Sequence, residues 1–281
     1  MATLNNNLAL DQIFAILKSA TDDNTPIPPT LLYNENWLLR LILSAASQGI
    51  PCLPFEFAAG ARWFSEARLY SRFLPRGRGD RNAETHTHAD GVIGHFAFAM
   101  NSKTGLLLDS TGSQFVVLEA KVFSKLRKTT QNADNYDQAV RTLGCMAESL
   151  RRSGKFPEQW QSLGFYVIAP KGQIDRGLFN EAMHKDHVLK GIHDRIEGFD
   201  SDSPGEMKDW EGRWVKPLLE RVHMECLTWE HTIEKVEEHD PALGRDVRIF
   251  YDRTLEFNKP KKLRGNPVPG QQFSVLFIPR A

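Results

Sequence analysis

The amino-acid sequence predicts an α/β protein, and three observations carry that prediction. Residues 90–100 alternate between two faces as a strand does, and residues 106–121 return as a second apolar stretch after the turn-type segment 101–105. The amphipathic stretch 134–151 predicts a helix, and the continuous apolar run 163–169 predicts a buried strand. Strand, helix and strand at this spacing predict a crossover that returns parallel to the hairpin.

Composition excludes several classes of protein. The 281 residues contain 35 Lys+Arg and 35 Asp+Glu, so the formal net charge is zero and no global charge indicates a polyanion partner. No apolar run reaches the roughly 18–20 residues of a membrane span, and the first ten residues lack a signal-peptide pattern. The three cysteines are widely spaced and match no metal or disulfide pattern. We therefore expect a cytoplasmic protein with no membrane partner.

The remaining elements follow from periodicity and from helix-breaking residues. Further helices are predicted at residues 9–20, 34–48, 58–74, 177–198, 209–221 and 223–238, and further strands at 246–251 and 273–278. The predicted organisation is a helical lead-in over residues 1–33, a core over 34–170, and a helical or mixed C-terminal elaboration over 171–281 that packs on the core as one domain.

The most informative stretch is 115–121, with the sequence FVVLEAK. Alternate residues of a strand share a face, so Glu119 and Lys121 project from the same face at the end of an otherwise apolar strand. Burying either charge alone would be costly, which indicates either a pair that reaches solvent or a functional pair.

The hairpin register brings a third charge to this pair. A turn centred near Lys103 would pair Asp90 with about Val116, and the extra residues at 109–113 shift that pairing to about Glu119. Two converging carboxylates with an adjacent lysine are typical of a Mg²⁺ or Mn²⁺ site, because such an ion needs only one or two protein carboxylates and keeps several waters.

These residues resemble the signature of the PD-(D/E)XK nuclease superfamily, whose members have a restriction-endonuclease-like fold. Asp90 stands at the first acidic position, Glu119 and Lys121 form the second part of the motif, and Ala89 replaces the proline. The resemblance implies a core of a helix, an antiparallel hairpin, a helix and a parallel strand over residues 34–170. It also implies hydrolysis of phosphodiester bonds with Mg²⁺ or Mn²⁺ bound by the two carboxylates, while the lysine positions the attacking water.

The same resemblance assigns two further catalytic residues. Such families often carry a metal-associated Glu on the helix before the hairpin, and Glu35 fits because it shares the inward stripe of Leu38 and Ile42. A Gln on the helix after the hairpin is another recurring member, and Gln138 fits that position. Alternatively, Glu35 complements the helix dipole and Gln138 faces solvent.

Two alternatives concern the acidic positions. Asp109 lies ten residues before Glu119 and is a rival first acid, although its Asp-Ser-Thr-Gly-Ser context is typical of an Asp that caps its own turn. His86, His88 and Asp90 have a spacing that also suits Zn²⁺, which leaves a zinc hydrolase as a third choice of function.

Basic residues cluster on both sides of the predicted site. We expect contacts to nucleic-acid phosphates from Arg72, Arg76, Arg78, Arg81, Lys125, Arg127 and Lys128. The sequence therefore predicts a Mg²⁺- or Mn²⁺-dependent nuclease that acts on nucleic acid, with DNA as the expected substrate. The alternative is a non-catalytic member of the same fold that binds nucleic acid or a protein. A homodimer is compatible with either.

Overall fold

The computed structural model describes residues 8–19, 27–74, 83–84, 87–100, 102, 105–126, 136–199 and 204–260. In chain order, the helices and strands of this part of the chain are α1 (Leu8–Ser19), α2 (Glu35–Ser47), β1 (Arg62–Leu69), β2 (Thr87–Gly94), β3 (Phe96–Phe98), β4 (Leu106–Leu108), β5 (Gln114–Ala120), α3 (Gln138–Ser153), β6 (Ser162–Ala169), α4 (Lys171–Ile174), α5 (Lys185–Glu197), α6 (Pro204–Trp210), α7 (Lys216–Arg221), β7 (His223–Thr228), α8 (Trp229–His239) and α9 (Pro241–Asn258).

The five longer strands form one mixed sheet in the order β1-β2-β5-β6-β7. Strands β1, β2 and β5 are antiparallel neighbours, whereas β6 runs parallel to β5 and β7 runs parallel to β6. The short strands β3 and β4 pair separately as an antiparallel ribbon. The predicted α/β class and the parallel return of β6 onto β5 are confirmed.

Helices cover both faces of the sheet, and β5 is buried along its whole length. Phe115 and Val117 face the core layer that contains α3, whereas Val116 and Leu118 face the layer that contains α2, α8 and α9. This alternation is the period-two pattern of a strand buried on both faces. It places Glu119 on the α3 side, because Glu119 shares the face of Val117.

The predicted hairpin divides into two pieces at Gly94. The backbone of Gly94 has φ +153°, and a Cβ at this position would overlap the carbonyl oxygen of Gln114. Only glycine allows the two backbones to approach so closely, and the chain bends there from β2 into β3. The bend and the turn around Asp109 separate the short β3–β4 ribbon from the main sheet.

The helix predicted at 58–74 is wrong. Residues Arg62–Leu69 form β1, which pairs antiparallel with β2 from Arg62 opposite Gly94 to Leu69 opposite Thr87. The segment contains residues that suit a helix, but pairing with a neighbouring strand outweighs such local preferences. Strand β1 therefore adds a third antiparallel strand to the predicted hairpin.

Three predictions in the C-terminal part also need correction. Residues 223–228 form β7 rather than the start of a helix, because they pair parallel with β6. Residues 246–251 lie inside α9, where Val247 and Tyr251 are buried on one helical face. The helix predicted at 177–198 begins only at Lys185. The strand predicted at 273–278 lies outside the described residues.

Candidate active site

Asp90 and Glu119 occupy opposite positions at the point where the pairing of β2 with β5 ends. The ladder pairs Gly91 with Leu118, so the next position in the same register sets Asp90 against Glu119. The backbone N–H of Ala120 donates a hydrogen bond of 2.8 Å to Asp90 Oδ2. The shifted register that the extra residues in the turn predicted is therefore confirmed, and the two carboxylates share one face of the sheet.

The ammonium group of Lys121 joins the two carboxylates. Its Nζ lies 3.2 Å from Glu119 Oε2 and 3.5 Å from Asp90 Oδ2. The backbone of Lys121 is fixed on both sides, because its N–H donates to Ile168 and its carbonyl accepts a 2.8 Å hydrogen bond from Trp229 Nε1. Lys121 is thus positioned by the neighbouring strand and by the first residue of α8.

Glu119 is fully buried and is held by side chains of α3. Gln138 Nε2 donates to Glu119 Oε2, and Thr142 Oγ1 donates to Glu119 Oε1 over 3.2 Å. Gln138 and Thr142 lie four residues apart, so they share one face of the helix. Helix α3 begins there because Asp137 caps it, accepting hydrogen bonds from the backbone of Ala139 and Val140.

Burial and neighbouring charges shift the ionisation of this cluster. Burial, with Asp90 adding to it, raises the pKa of Glu119 to about 8, despite the opposing effects of Lys121 and Thr142. For Lys121, burial lowers the pKa, but the charges of Glu119, Asp90 and Glu35 outweigh burial and hold the pKa above its ordinary value. With both carboxylates ionised, Asp90, Glu119 and Lys121 together carry one uncompensated negative charge.

This uncompensated negative charge makes the cluster suitable for binding a cation. A proton on Glu119 would neutralise the cluster, and a divalent cation could take the place of that proton. The donor atoms are carboxylate oxygens, which Mg²⁺ and Mn²⁺ prefer. The Asp90 side chain is 18% exposed whereas that of Glu119 is not exposed at all, so solvent reaches the cluster from the Asp90 side. Among the described residues, no group of three His, Cys, Asp or Glu side chains has the arrangement of a metal site.

Glu35 is the first residue of α2 and is half-buried. Asn34 caps this helix by accepting a 3.0 Å hydrogen bond from the backbone N–H of Trp37. The charge of Glu35 contributes to the raised pKa of Lys121, which brings it within electrostatic reach of the cluster. Glu35 therefore lies near the site, and it acts on Lys121 through its negative charge, which raises the pKa of Lys121.

The structure adds a carboxylate to the site, Glu66, that the sequence pattern did not predict. Glu66 occupies the β1 position opposite Asp90, between the pairs Ser65–Gly91 and Ala67–Ala89. Its backbone has φ 57°, and its Oε1 accepts a 2.7 Å hydrogen bond from Asn36 Nδ2. Partial burial and then the charge of Asp90 raise the pKa of Glu66. Because residues 58–74 were predicted to be helical, no pattern in the sequence indicated that Glu66 lies beside Asp90.

Thr142 was missed as well, although a signal for it was present. It lies one helical turn after Gln138, on the same face of the predicted helix. A residue so placed can reach the same neighbouring strand, and the hydroxyl of Thr142 donates to the second oxygen of Glu119.

Asp109 does not join the cluster. Its Oδ1 accepts hydrogen bonds of 2.8 Å from both the backbone N–H and the hydroxyl of Thr111, and these bonds lower the pKa of Asp109. The expected role of Asp109 as a turn cap is confirmed. Of the two histidines considered for zinc, His88 is exposed on β2 and His86 lies outside the described residues.

The predicted phosphate contacts are only partly within the described chain. Arg72 forms a 3.2 Å ion pair with Glu206, and Lys125 is exposed beyond the end of β5. Arg76, Arg78, Arg81, Arg127 and Lys128 lie outside the described residues.

Cysteine chemistry has no support in this structure. Burial raises the pKa of Cys52 to about 11, that of Cys145 to about 12 and that of Cys226 to about 11. A thiol with such a pKa is a poor nucleophile at neutral pH, because the reactive thiolate is scarcely populated. The three thiols are unpaired.

Within the described residues, no helix has both the length and the apolar character needed to cross a membrane. No protein-family model, no curated protein and no solved structure matches this chain significantly.

Proposed function

We propose that this protein is a Mg²⁺- or Mn²⁺-dependent nuclease related to the PD-(D/E)XK superfamily. One observation carries the proposal, namely the convergence of Asp90, Glu119 and Lys121 where the pairing of β2 with β5 ends, with Lys121 Nζ 3.5 Å from Asp90 and 3.2 Å from Glu119. Two acids and a lysine in this arrangement suit the hydrolysis of a phosphodiester bond.

The order of the elements supports the same proposal. Helix α2, the antiparallel strands β1, β2 and β5, helix α3 and the parallel strand β6 follow one another along the chain. This is the order of helix, antiparallel strands, helix and parallel strand that the superfamily resemblance implies. Strand β7 adds a further parallel strand beyond it. A shared order of elements does not by itself assign an activity, so the proposal depends on the site.

Each side chain of the site has a role that its surroundings support. Asp90 and Glu119 would hold the cation, which when bound supplies Lewis-acid stabilisation of charge on the phosphate. Lys121 donates hydrogen bonds from a buried position, so it can orient the attacking water and offset negative charge in the transition state. Gln138 and Thr142 keep the Glu119 carboxylate in one orientation.

Nucleic acid, and DNA in particular, is the substrate that we propose. The exposed Lys125 follows the site directly along the chain, and the arginines predicted to contact phosphate precede Asp90. A phosphate backbone carries a dense negative charge, so such residues give binding that weakens as salt is raised. We further propose a cytoplasmic location, which agrees with the three unpaired thiols.

The proposal is tested by cleavage assays of the full chain on double-stranded DNA, single-stranded DNA and RNA with Mg²⁺ or Mn²⁺. We expect Lys121→Ala and Asp90→Asn to reduce cleavage about 100-fold or more while the fold is retained by circular dichroism. Lys171→Ala is the matched control, because Lys171 is exposed and pairs only locally with Asp175 among its described ion pairs. Undiminished metal-dependent cleavage by a folded Lys121→Ala protein would contradict the proposal.

A non-catalytic binding protein is the second candidate, and one observation favours it. Glu119 already accepts hydrogen bonds from Lys121, Gln138 and Thr142 and is not exposed. A carboxylate so fully bonded can serve as a structural group. Mn²⁺ binding that is lost in Asp90→Asn favours the nuclease, whereas DNA binding without any Mn²⁺ binding favours the second candidate.

A further inference from the structure

A second concave region of the molecule is rich in arginine. A cavity of about 540 Å³ is bounded by the segment after β1, the last turns of α3, and helix α6 with the residues that follow it. We call it the arginine cavity and define it by Arg72, Arg151, Glu206, Asp209, Trp210 and Arg213. None of its described lining residues belongs to the candidate active site.

The three guanidinium groups of the arginine cavity differ in how firmly they are held. Arg151 forms two hydrogen bonds of 2.8 Å with Glu148, which fix its orientation. Arg72 pairs with Glu206 over 3.2 Å, and the side chain of Glu206 is 70% exposed. Arg213 pairs with Asp209 over 3.5 Å, and both side chains of that pair are more than half exposed. The Arg213–Asp209 pair is exposed and therefore weak, whereas the Arg72 side chain is 22% exposed and only its partner Glu206 is largely exposed. An anion with better geometry can replace either carboxylate.

Two donors of the cavity-lining residues have no hydrogen-bond partner. Trp210 is 1% exposed, and its indole Nε1 is buried without an acceptor. The Nε of Arg72 is also buried without an acceptor. Buried donors are nearly always bonded in native proteins, so two unsatisfied donors on residues that line one cavity favour a ligand with acceptor groups there.

The cavity also contains an irregular helical turn. Residues Glu211–Val215 form a π-helical turn between α6 and α7, and Arg213 lies on it. Such turns are rare and often occur at functional positions, because they rotate side chains away from the regular helical path. Trp214, on the same turn, stacks on Phe156 with ring centroids 4.7 Å apart, and the guanidinium of Arg213 lies over the Phe156 ring.

We propose that the arginine cavity binds a phosphate-bearing small molecule. Guanidinium groups bind phosphate in a planar, two-bonded geometry, and the unsatisfied donors of Arg72 and Trp210 would bond the same anion or its substituent. Each guanidinium group is paired with a carboxylate in this structure, and displacement of the exposed Glu206 and Asp209 side chains would leave Arg72 and Arg213 free to bind an anion. The volume of about 540 Å³ lies within the range that small-molecule sites commonly have. Arg72 is also one of the arginines predicted to contact nucleic-acid phosphates, so the test of this proposal measures small-molecule binding and no cleavage.

The test measures binding alone, by titration calorimetry of the full chain with adenosine 5′-monophosphate, inorganic phosphate and uncharged adenosine as probes. We expect at least one phosphate-bearing probe to bind with a Kd below about 1 mM, and adenosine to bind at least about tenfold more weakly than the monophosphate. The double variant Arg72→Gln/Arg213→Gln should weaken phosphate binding about tenfold or more. Trp210→Phe, which removes one donor and keeps a ring, should weaken it a few-fold.

Arg152→Gln is the matched control. Arg152 follows Arg151 in α3 but lies over the ring of Tyr70 instead of lining the cavity, so its replacement should leave binding unchanged. Three results would overturn the proposal: neither phosphate nor the monophosphate binds saturably at about 1 mM, adenosine binds as tightly as the monophosphate, or the double variant retains wild-type affinity. Because no cleavage is measured, failure here leaves the nuclease proposal untouched.

Discussion

Glu66 lies directly across from Asp90 on the neighbouring strand, and it does so with a left-handed backbone of φ 57°. A residue with a Cβ pays a conformational cost of about 1 kcal/mol in this region, and such residues cluster at functional sites. The hydrogen bond from Asn36 holds the Glu66 carboxylate in place. Glu66 and Asp90 thus occupy facing strand positions, and the charge of Asp90 adds to partial burial in raising the pKa of Glu66.

The backbone of Glu66 predicts a difference between two substitutions. Glu66→Gly and Glu66→Ala both remove the carboxylate and its bond to Asn36. Only glycine relieves the left-handed conformation, so we expect Glu66→Gly to be more stable than Glu66→Ala by about 1 kcal/mol in urea unfolding. Equal stabilities would contradict the strained backbone. If Glu66 serves the site, both variants lose cleavage activity equally.

The buried carboxylate of Glu119 predicts a pH effect on the metal-free protein. Its pKa rises from 4.5 to about 8 on folding, so the folded state binds this proton more tightly than the unfolded state does. Stability therefore falls as pH rises from about 4.5 to about 8, because the unfolded chain gains by releasing the proton. Glu119→Gln removes this titration.

The measurement compares the two proteins by urea unfolding across that pH window, with a chelator present. Relative to Glu119→Gln, the wild-type protein should lose on the order of a few kcal/mol between pH 5 and pH 8. A constant difference between the two curves would show that Glu119 does not titrate with a raised pKa. Glutamine has the same shape as glutamate, and its amide can donate a hydrogen bond to the hydroxyl of Thr142, from which Glu119 now accepts one.

Metal binding at Asp90 and Glu119 predicts stabilisation that depends on Asp90. Mn²⁺ at about ten times its Kd should raise the free energy of unfolding by about 1.4 kcal/mol. Thermal unfolding should show this as an increase of a few degrees in Tm for the wild-type protein and no increase for Asp90→Asn. His88→Ala is the control, because His88 is exposed on the same strand. If His88→Ala abolishes the effect, a histidine-containing site is favoured instead.

The close packing of α8 against α9 predicts that substitution of Gly244 destabilises the protein. A Cβ at Gly244 would overlap the backbone of Glu237, so Gly244 sets the distance between the two helices. We expect Gly244→Ala to destabilise the protein by about 1–3 kcal/mol in urea unfolding. Gly172→Ala is the control, because nothing lies within 4 Å of a Cβ there. Equal effects of the two substitutions would contradict the close approach.

Features that depend on residues close together in the chain could be predicted from the sequence alone. The shared face of Glu119 and Lys121 follows from the period of a strand, and the pairing of Asp90 with Glu119 follows from counting residues around one turn. Gln138 could be placed near Glu119 from the family resemblance, because it begins the helix that crosses back over the sheet.

Features that depend on distant segments could not be predicted. The proximity of Glu66 to Asp90 depends on β1 being a strand, and β1 forms only because β2 is available to pair with it. Strand β7 likewise forms against β6, across more than 50 residues that include several helices. Local propensity carries no information about such partners. The arginine cavity could not be predicted either, because its lining residues come from segments that are far apart in the chain.

The hydrogen bond between Trp229 and Lys121 affects the stage of synthesis at which the protein can become active. Trp229 Nε1 holds the carbonyl of Lys121, a residue 108 positions earlier in the chain. The acids and the lysine leave the ribosome well before the indole does. The nascent chain therefore has all its proposed cleavage groups before the lysine is fixed in place, and activity should appear only after α8 has emerged and packed.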